Sequence, residues 1–356
     1  EEAAQLFKLW AAENGFVSKE RFANPFDQEL DGHDLATVPL GASAVQVFHS
    51  RGINLVGFNE ANRQVIVFTK KRLTKKQRAD LPQEFDDEIE IVYRQGNVGA
   101  AGSPPGPPFG QGAYLLHNGR YTCGSSITPG NVFSAGTMSC LVRDNQQELF
   151  GLSCNHVTGC CNFSEPGMPI IAPGHPDIRA GGFDPFTIGH HHSLLAMLDG
   201  IPQNVAIADN TDAAIFAIRD SNLVSSMQRN HYDTPTAIVP IAPGMTVQKV
   251  GRTSSITTGI VRAQAVGPEP IQYQIGLIPG GIKVVFYDPI FIVEGSGAIF
   301  AEGGDSGSLV TTDVNGVRHA VGIVTGIDSQ SKLSFVLPIG PILAGLNVTL
   351  VHGHHV

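Results

Sequence analysis

Gly303-Gly304-Asp305-Ser306-Gly307-Ser308-Leu309-Val310 is the stretch on which the reading of this 356-residue chain turns. A serine set between glycines can sit on a tight turn with its hydroxyl exposed. Glycine also lets backbone amides point into open space. The amides of Gly304 and Ser306 could then converge on a developing oxyanion. A hydroxyl alone is a poor nucleophile and needs a base, and the base needs an orienting acid. Ser308 is a competing hydroxyl on the same turn.

Two stretches upstream supply those partners. Leu152-Ser153-Cys154-Asn155-His156-Val157 reads as a strand that ends by delivering a histidine into the following turn. In Asn210-Thr211-Asp212-Ala213-Ala214-Ile215-Phe216 an aspartate opens an apolar strand, and the alanines leave room around it. A buried Asp beside a His holds the ring tautomer and stabilises the imidazolium. Asp199 and Asp209 compete for the acid role; Asp212 is favoured because an apolar strand follows it directly. His175 and His190–His192 rank below His156 because they belong to a Pro/Gly-rich insertion.

In this order, His156, Asp212 and the Gly-Asp-Ser-Gly around Ser306, the chain resembles the chymotrypsin-like (trypsin-fold) serine peptidases. Val247–Ser254 with Thr258–Val261 is similar to the strand-turn-strand that opens the second barrel of the bacterial type. The layout also resembles the NARROW LEAF 1 group and its microbial relatives, in which a small α+β region precedes two barrels. The resemblance implies a mainly β fold of two six-stranded β-barrels with a small N-terminal α+β domain. It implies a serine endopeptidase acting on a protein or peptide substrate through an acyl-enzyme, with His156 as base, Asp212 as orienting acid and Ser306 as nucleophile. Gly304 and Ser306 form the oxyanion hole, no cofactor is needed, and a homo-oligomer is expected. For the substrate pocket it points to Phe300, six residues before Ser306 where a trypsin-type enzyme carries Asp, with Thr325 and Gly326 on the other wall. A small or apolar substrate side chain follows, although Glu302 adds local negative charge.

The chain also departs from the pattern. Val157 follows the histidine where a Cys is familiar, and Gly307-Ser308 replaces Gly-Gly. No Ile-Val-Gly-Gly-type segment is present to insert and order the oxyanion loop, so the site is either constitutively formed or ordered by a partner. A protease-fold scaffold or partner-binding module with little hydrolysis is the alternative reading. Zinc is the other: Cys154, His156, Cys160 and Cys161 lie close together, and zinc takes Cys and His at short spacing. No paired C-x₂-C knuckles appear, and adjacent Cys160 and Cys161 do not easily face one ion. No metal is therefore expected, and the Cys residues read as small buried apolar groups.

Composition agrees with strands. Charged residues are 15% of the chain, against about 25% in ordinary domains. The 41 Gly and 23 Pro argue against a helical bundle and for short strands joined by tight turns. Strand-like runs recur at Leu149–Ser153, Ala213–Ile218, Thr246–Val250, Gly259–Val266, Ser308–Thr312 and Ala320–Thr325. A net charge of −9 does not suggest nucleic-acid binding, and no run of 18 apolar residues suggests a membrane span. Five Cys, an odd and sparse set, are no disulfide framework, so a reducing, cytoplasmic setting is expected. The sequence starts without Met and without a signal-peptide hydrophobic core.

Four segments are expected: an α+β accessory domain over 1–98, a Gly/Pro linker over 99–112, a first barrel with His156 and Asp212 over 113–230, and a second barrel with Ser306 over 231–351. In the first, residues 2–14 read as an amphipathic helix capped by Gly15, with Trp10 free to pack on its own domain or to serve a contact. Strands are expected at Ile53–Phe58, Gln64–Thr69 and Glu88–Arg94, and Thr74 is a plausible N-cap for a short helix. The basic run over residues 70–78 reads either as an anion or partner patch or as a solvated turn facing the acidic segment that follows.

Overall fold

A computed structural model of the chain describes residues 1–18, 40–85, 88–96, 112–179, 184–328 and 331–356. The expected linker over 99–112 lies outside the described residues except for Gly112. In the N-terminal unit, helix Glu2–Glu13 places Leu6, Phe7 and Trp10 on one buried face. That face meets Phe16 and Phe48, the latter from helix Ala42–Arg51, with ring centroids 5.6–6.3 Å apart. Trp10 is thus spent on its own domain. The chain leaves the helix at Gly15, at φ +73°. Thr74 caps helix Lys75–Ala79 in a full capping box with Gln77, which satisfies two otherwise orphaned amides.

The second half of the chain forms a closed barrel of six antiparallel strands: Thr246–Gly251, Ser255–Ala265, Phe291–Gly295, Leu333–Pro338, Val317–Asp328 and Leu309–Val314. Ser255–Ala265 closes it by pairing along its first half with Thr246–Gly251 and along its second with Phe291–Gly295. A register shift between Val261 and Ala263 gives the bend this requires. Alternation aims Gly259, Val261, Ala263 and Ala265 inward. The interior is filled by Val247, Val261, Val293, Phe300, Val310 and Val336.

The middle of the chain supplies seven strands of an open, eight-stranded half-barrel. Leu149–Ser153 lies between Cys140–Arg143 and Ala214–Ile218, and the latter pairs onward with Phe186–Leu194. Thr349–Leu350, from beyond the closed barrel, returns to cover the free edge of Cys140–Arg143. The fold is therefore mainly β with two barrel-type units, one closed and one half-open.

The N-terminal strands are not a separate sheet. Ile53–Asn59 pairs with the closed barrel through Gly57↔Ala265 and Phe58↔Gln264. It carries Gln64–Thr69 and Ile89–Gln95 outward from there, in a ten-stranded sheet. Gly57 permits the junction: a Cβ there would lie 2.9 Å from both Ala263 Cβ and Gln264 O.

Candidate active site

His156 sits in a single π-helical turn, Asn155–Gly159, directly after strand Leu149–Ser153. Asn155 anchors the turn by donating from Nδ2 to Leu195 O and Asn162 Oδ1, each at 2.7 Å. Asp212 enters from the neighbouring strand and is fully buried. Its Oδ1 accepts from the His156 amide at 2.9 Å, and its Oδ2 lies 2.6 Å from His156 Nδ1. An ionised carboxylate only accepts, so Nδ1 carries a proton, and in the neutral ring Nε2 is then the acceptor. Asp209 is exposed, and Asp199 accepts from the Val284 amide instead. His175 is turned to Val132 O.

Of the two groups that hold Asp212 from the other side, the sequence singled out Thr325 for another role and did not single out Tyr273. Thr325 Oγ1 donates to Asp212 Oδ2, and Tyr273 OH lies 3.0 Å from Thr325 Oγ1 and 3.5 Å from Asp212 Oδ2. Burial acts to raise the Asp212 carboxyl. The His156 ring, with the hydrogen bonds from His156 and Thr325, overrules it and holds the group below its ordinary value. Thr325, expected on a pocket wall, has its hydroxyl committed to the aspartate. Phe300 lies wholly inside the closed barrel, where its ring edge comes within 2.8 Å of the position a Cβ on Gly259 would take.

Ser306 sits in a double turn. The Asp305 amide donates to Glu302 O and the Ser308 amide to Asp305 O, each at 2.9 Å. Gly304 and Gly307, both at φ +94°, occupy the third position of the two turns, where a left-handed residue is needed. The turn is fastened to both halves of the molecule: the Thr137 amide donates to Ser306 O at 2.9 Å, and the Gly307 amide to Val324 O at 2.8 Å. Val324 O also accepts from Cys154 Sγ, two residues before His156. Val324 and Thr325 thus tie together the serine turn, the histidine turn and the aspartate. Among the described residues, the amides of Gly304 and Ser306 donate no hydrogen bond to the protein. Ser306 is 3% exposed, and its Oγ has no hydrogen-bond partner, so no bond joins it to His156.

Behind the turn lies a second set of groups the sequence reading passed over. Asp305 accepts from Lys249 Nζ at 2.8 Å and from the amides of Thr253, Ser254 and Glu302 at 2.7, 3.2 and 3.0 Å. Arg252 forms a bidentate pair with Asp177, at 2.7 and 2.8 Å, and its Nη1 lies 2.5 Å from where a Cβ on Gly304 would stand. A glycine is required there on both counts, conformation and space.

Cys154, His156 and Asp212 offer atoms within 4.8 Å of one another, a spacing that could hold a metal ion. Asp212 Oδ2 is already engaged by His156 and Thr325, and burial, with Asp212 nearby, pushes the Cys154 thiol well up, so it stays neutral. The donor set fits a hydrogen-bonded dyad better than a ligand shell, since a metal takes the thiolate. Cys160 and Cys161 are not part of this group.

No family model matches the chain, and no curated protein does. Solved structures similar to it include Thermobifida fusca Protease A, at 17% identity and a TM-score of 0.43, covering 65% of this chain and 98% of that one. Nocardiopsis protease is 17% identical with a TM-score of 0.41, over 64% and 97% of the two chains. A glutamic acid specific serine protease is 18% identical with a TM-score of 0.41, over 65% and 100%. The described strands form a closed six-stranded barrel beside an open half-barrel.

Proposed function

We propose that this chain is a serine endopeptidase that hydrolyses peptide bonds through Ser306, His156 and Asp212. The observation that carries the reading is Asp212, buried and bonded to both the amide and Nδ1 of His156. That leaves Nε2 as the base for a hydroxyl on the turn tied to the same strand. When substrate binds, Nε2 takes the Ser306 proton as Oγ attacks the scissile carbonyl. The carbonyl π pair moves to oxygen, where the uncommitted amides of Gly304 and Ser306 stabilise it. The imidazolium gives its proton to the leaving amine as the C–N bond breaks, leaving an acyl-enzyme. Water, deprotonated by the same Nε2, then releases the acid and restores Ser306. The absent Ser306–His156 bond accords with a free enzyme in which such contacts tighten only with substrate.

Labelling with a fluorophosphonate tests this, since the reagent needs a working base and oxyanion hole. Wild-type protein should label at Ser306 and cleave a peptide library. Ser306→Ala should do neither while unfolding at the same urea concentration. If Ser306→Ala cleaves as fast as wild type, the assignment fails. The scaffold reading draws on one observation, the unpartnered Ser306 Oγ; a folded wild-type protein that never labels would select it. The layout resembling the NARROW LEAF 1 group adds a homo-oligomer to the proposal, which a mass measurement in solution decides.

A further inference from the structure

Tyr273 belongs to none of the segments that deliver His156, Asp212 or Ser306. It lies on a hairpin, Glu269–Gln274 paired with Ile282–Tyr287, inserted between two strands of the closed barrel. The hairpin leans on the half-barrel. Lys283 Nζ donates to Cys161 O at 3.1 Å, the Val284 amide to Asp199 Oδ1 at 3.2 Å, and Asn210 Nδ2 to Phe286 O at 2.9 Å. This brings the Tyr273 ring against the His156 imidazole, with centroids 4.9 Å apart and planes inclined by 34°. Tyr287 stands edge-on to Tyr273 at 6.4 Å. At the hairpin's base, buried Glu269 pairs with Lys8 of helix Glu2–Glu13 at 3.1 Å, and Lys8 also donates to Val266 O.

We propose that Tyr273 is a positioning residue for the His156–Asp212 pair, and that the N-terminal helix holds it in place through Lys8 and Glu269. Asp212 fixes one edge of the imidazole but does not stop the ring from tipping about that bond. A flat aromatic face packed on the ring does. The Tyr273 hydroxyl adds a second hold, because it meets the Thr325 hydroxyl that in turn bonds Asp212. Tyr273 moves no proton in this role. Burial, with Asp212 nearby, pushes its hydroxyl well above the ordinary tyrosine value, so it stays a neutral phenol.

The kinetic half of this inference rests on the peptidase reading; the geometric half does not. The test uses the full chain with Tyr273→Phe, Tyr273→Leu and the double variant Lys8→Met/Glu269→Met. Two quantities are read: the fluorophosphonate labelling rate at Ser306, and the downfield proton resonance of His156 Nδ1–H, which needs no turnover. Tyr273→Phe keeps the ring and should lose roughly fivefold in rate, the worth of about one hydrogen bond, with the resonance retained. Tyr273→Leu loses the flat face and should fall by about 10²-fold, the cost of a misplaced catalytic group, with the resonance broadened. The Lys8/Glu269 double variant should slow labelling in the same direction. Leu and Phe variants that label at the wild-type rate with an unchanged resonance overturn the proposal; if the Leu variant does not fold, the Phe variant decides by the same criterion. A wild-type protein that never labels overturns the peptidase reading instead, and the resonance still decides on Tyr273.

Discussion

Lys249 Nζ lies 2.8 Å from Asp305 Oδ2, and both side chains are fully buried. Asp305 immediately precedes the candidate nucleophile, so its position sets the turn on which Ser306 and the Gly304 amide stand. Its carboxylate is held by one ammonium, three backbone amides and the Ser254 hydroxyl, all from within the folded chain. The cation that orders the loop comes from strand Thr246–Gly251.

Breaking this pair from one side leaves a buried charge without compensation, which costs about 3–5 kcal/mol. Lys249→Met should therefore lower the urea unfolding midpoint sharply and slow labelling of Ser306. Adding Asp305→Asn removes the stranded charge and should return much of the stability but not the labelling rate. Equal stability of Lys249→Met and wild type would show that the pair contributes nothing.

Asp212→Asn should leave the fold intact and reduce the labelling rate by about 10⁴-fold, because an amide in place of the acceptor favours the wrong imidazole tautomer. Thr325→Val removes a hydrogen bond to a charged group, worth about 1.5–3 kcal/mol, and should lower stability by that order. Thr325→Ser keeps the donor and should recover most of it. Urea melts and labelling rates on the three proteins check both statements.

Acid should destabilise the protein through two named carboxylates. Burial acts to raise both Asp212 and Asp305. The His156 ring and its hydrogen bonds in one case, and Lys249 with Ser254 and the Glu302 amide in the other, bring each below the ordinary 3.8. A folded pKa below the unfolded one means that the folded state binds fewer protons. The stability so gained is complete above about pH 4–5 and is lost as pH falls through the depressed values. Urea unfolding at a series of pH values should show this fall, and Asp305→Asn should show a shallower one. Identical slopes for the two proteins would rule out Asp305 as a source.

Gly57→Val should detach the N-terminal strands from the closed barrel, since its Cβ would need the space of Ala263 Cβ and Gln264 O. Limited proteolysis should then cut within the N-terminal unit at protease concentrations that leave the wild type whole. An unchanged digestion pattern would contradict the close approach.

The parts of the site that sequence made legible are those whose chemistry is local. A serine between glycines, a histidine after a strand and an aspartate before one each carry a signal within eight residues. The helix at 2–13, the Thr74 cap and the strands at 53–59, 64–69 and 89–95 were readable for the same reason. Lys249 was not, because it follows Gln248 in a strand that Thr246 opens, where a charge reads as solvent-facing, and only its burial reveals it. Tyr273 comes from a hairpin with no distinguishing motif. Thr325 was noticed but placed on a pocket wall, since nothing local says which way a threonine on an inward strand will turn its hydroxyl. The continuity of the N-terminal strands with the barrel rests on one glycine, Gly57, that resembles any other until the two backbones are side by side.

The return of Thr349–Leu350 to Cys140–Arg143 has a consequence for biosynthesis. The paired residues Thr349 and Arg143 are 206 positions apart. Chains fold domain by domain as they emerge from the ribosome, so the half-barrel bearing His156 and Asp212 is exposed long before its covering strand exists. Through that interval Cys140–Arg143 presents an unguarded edge, the kind of surface that recruits a neighbouring nascent chain. Premature termination before residue 349 should therefore yield a product prone to aggregate, and its arrested chains should depend on chaperones more than the finished protein does.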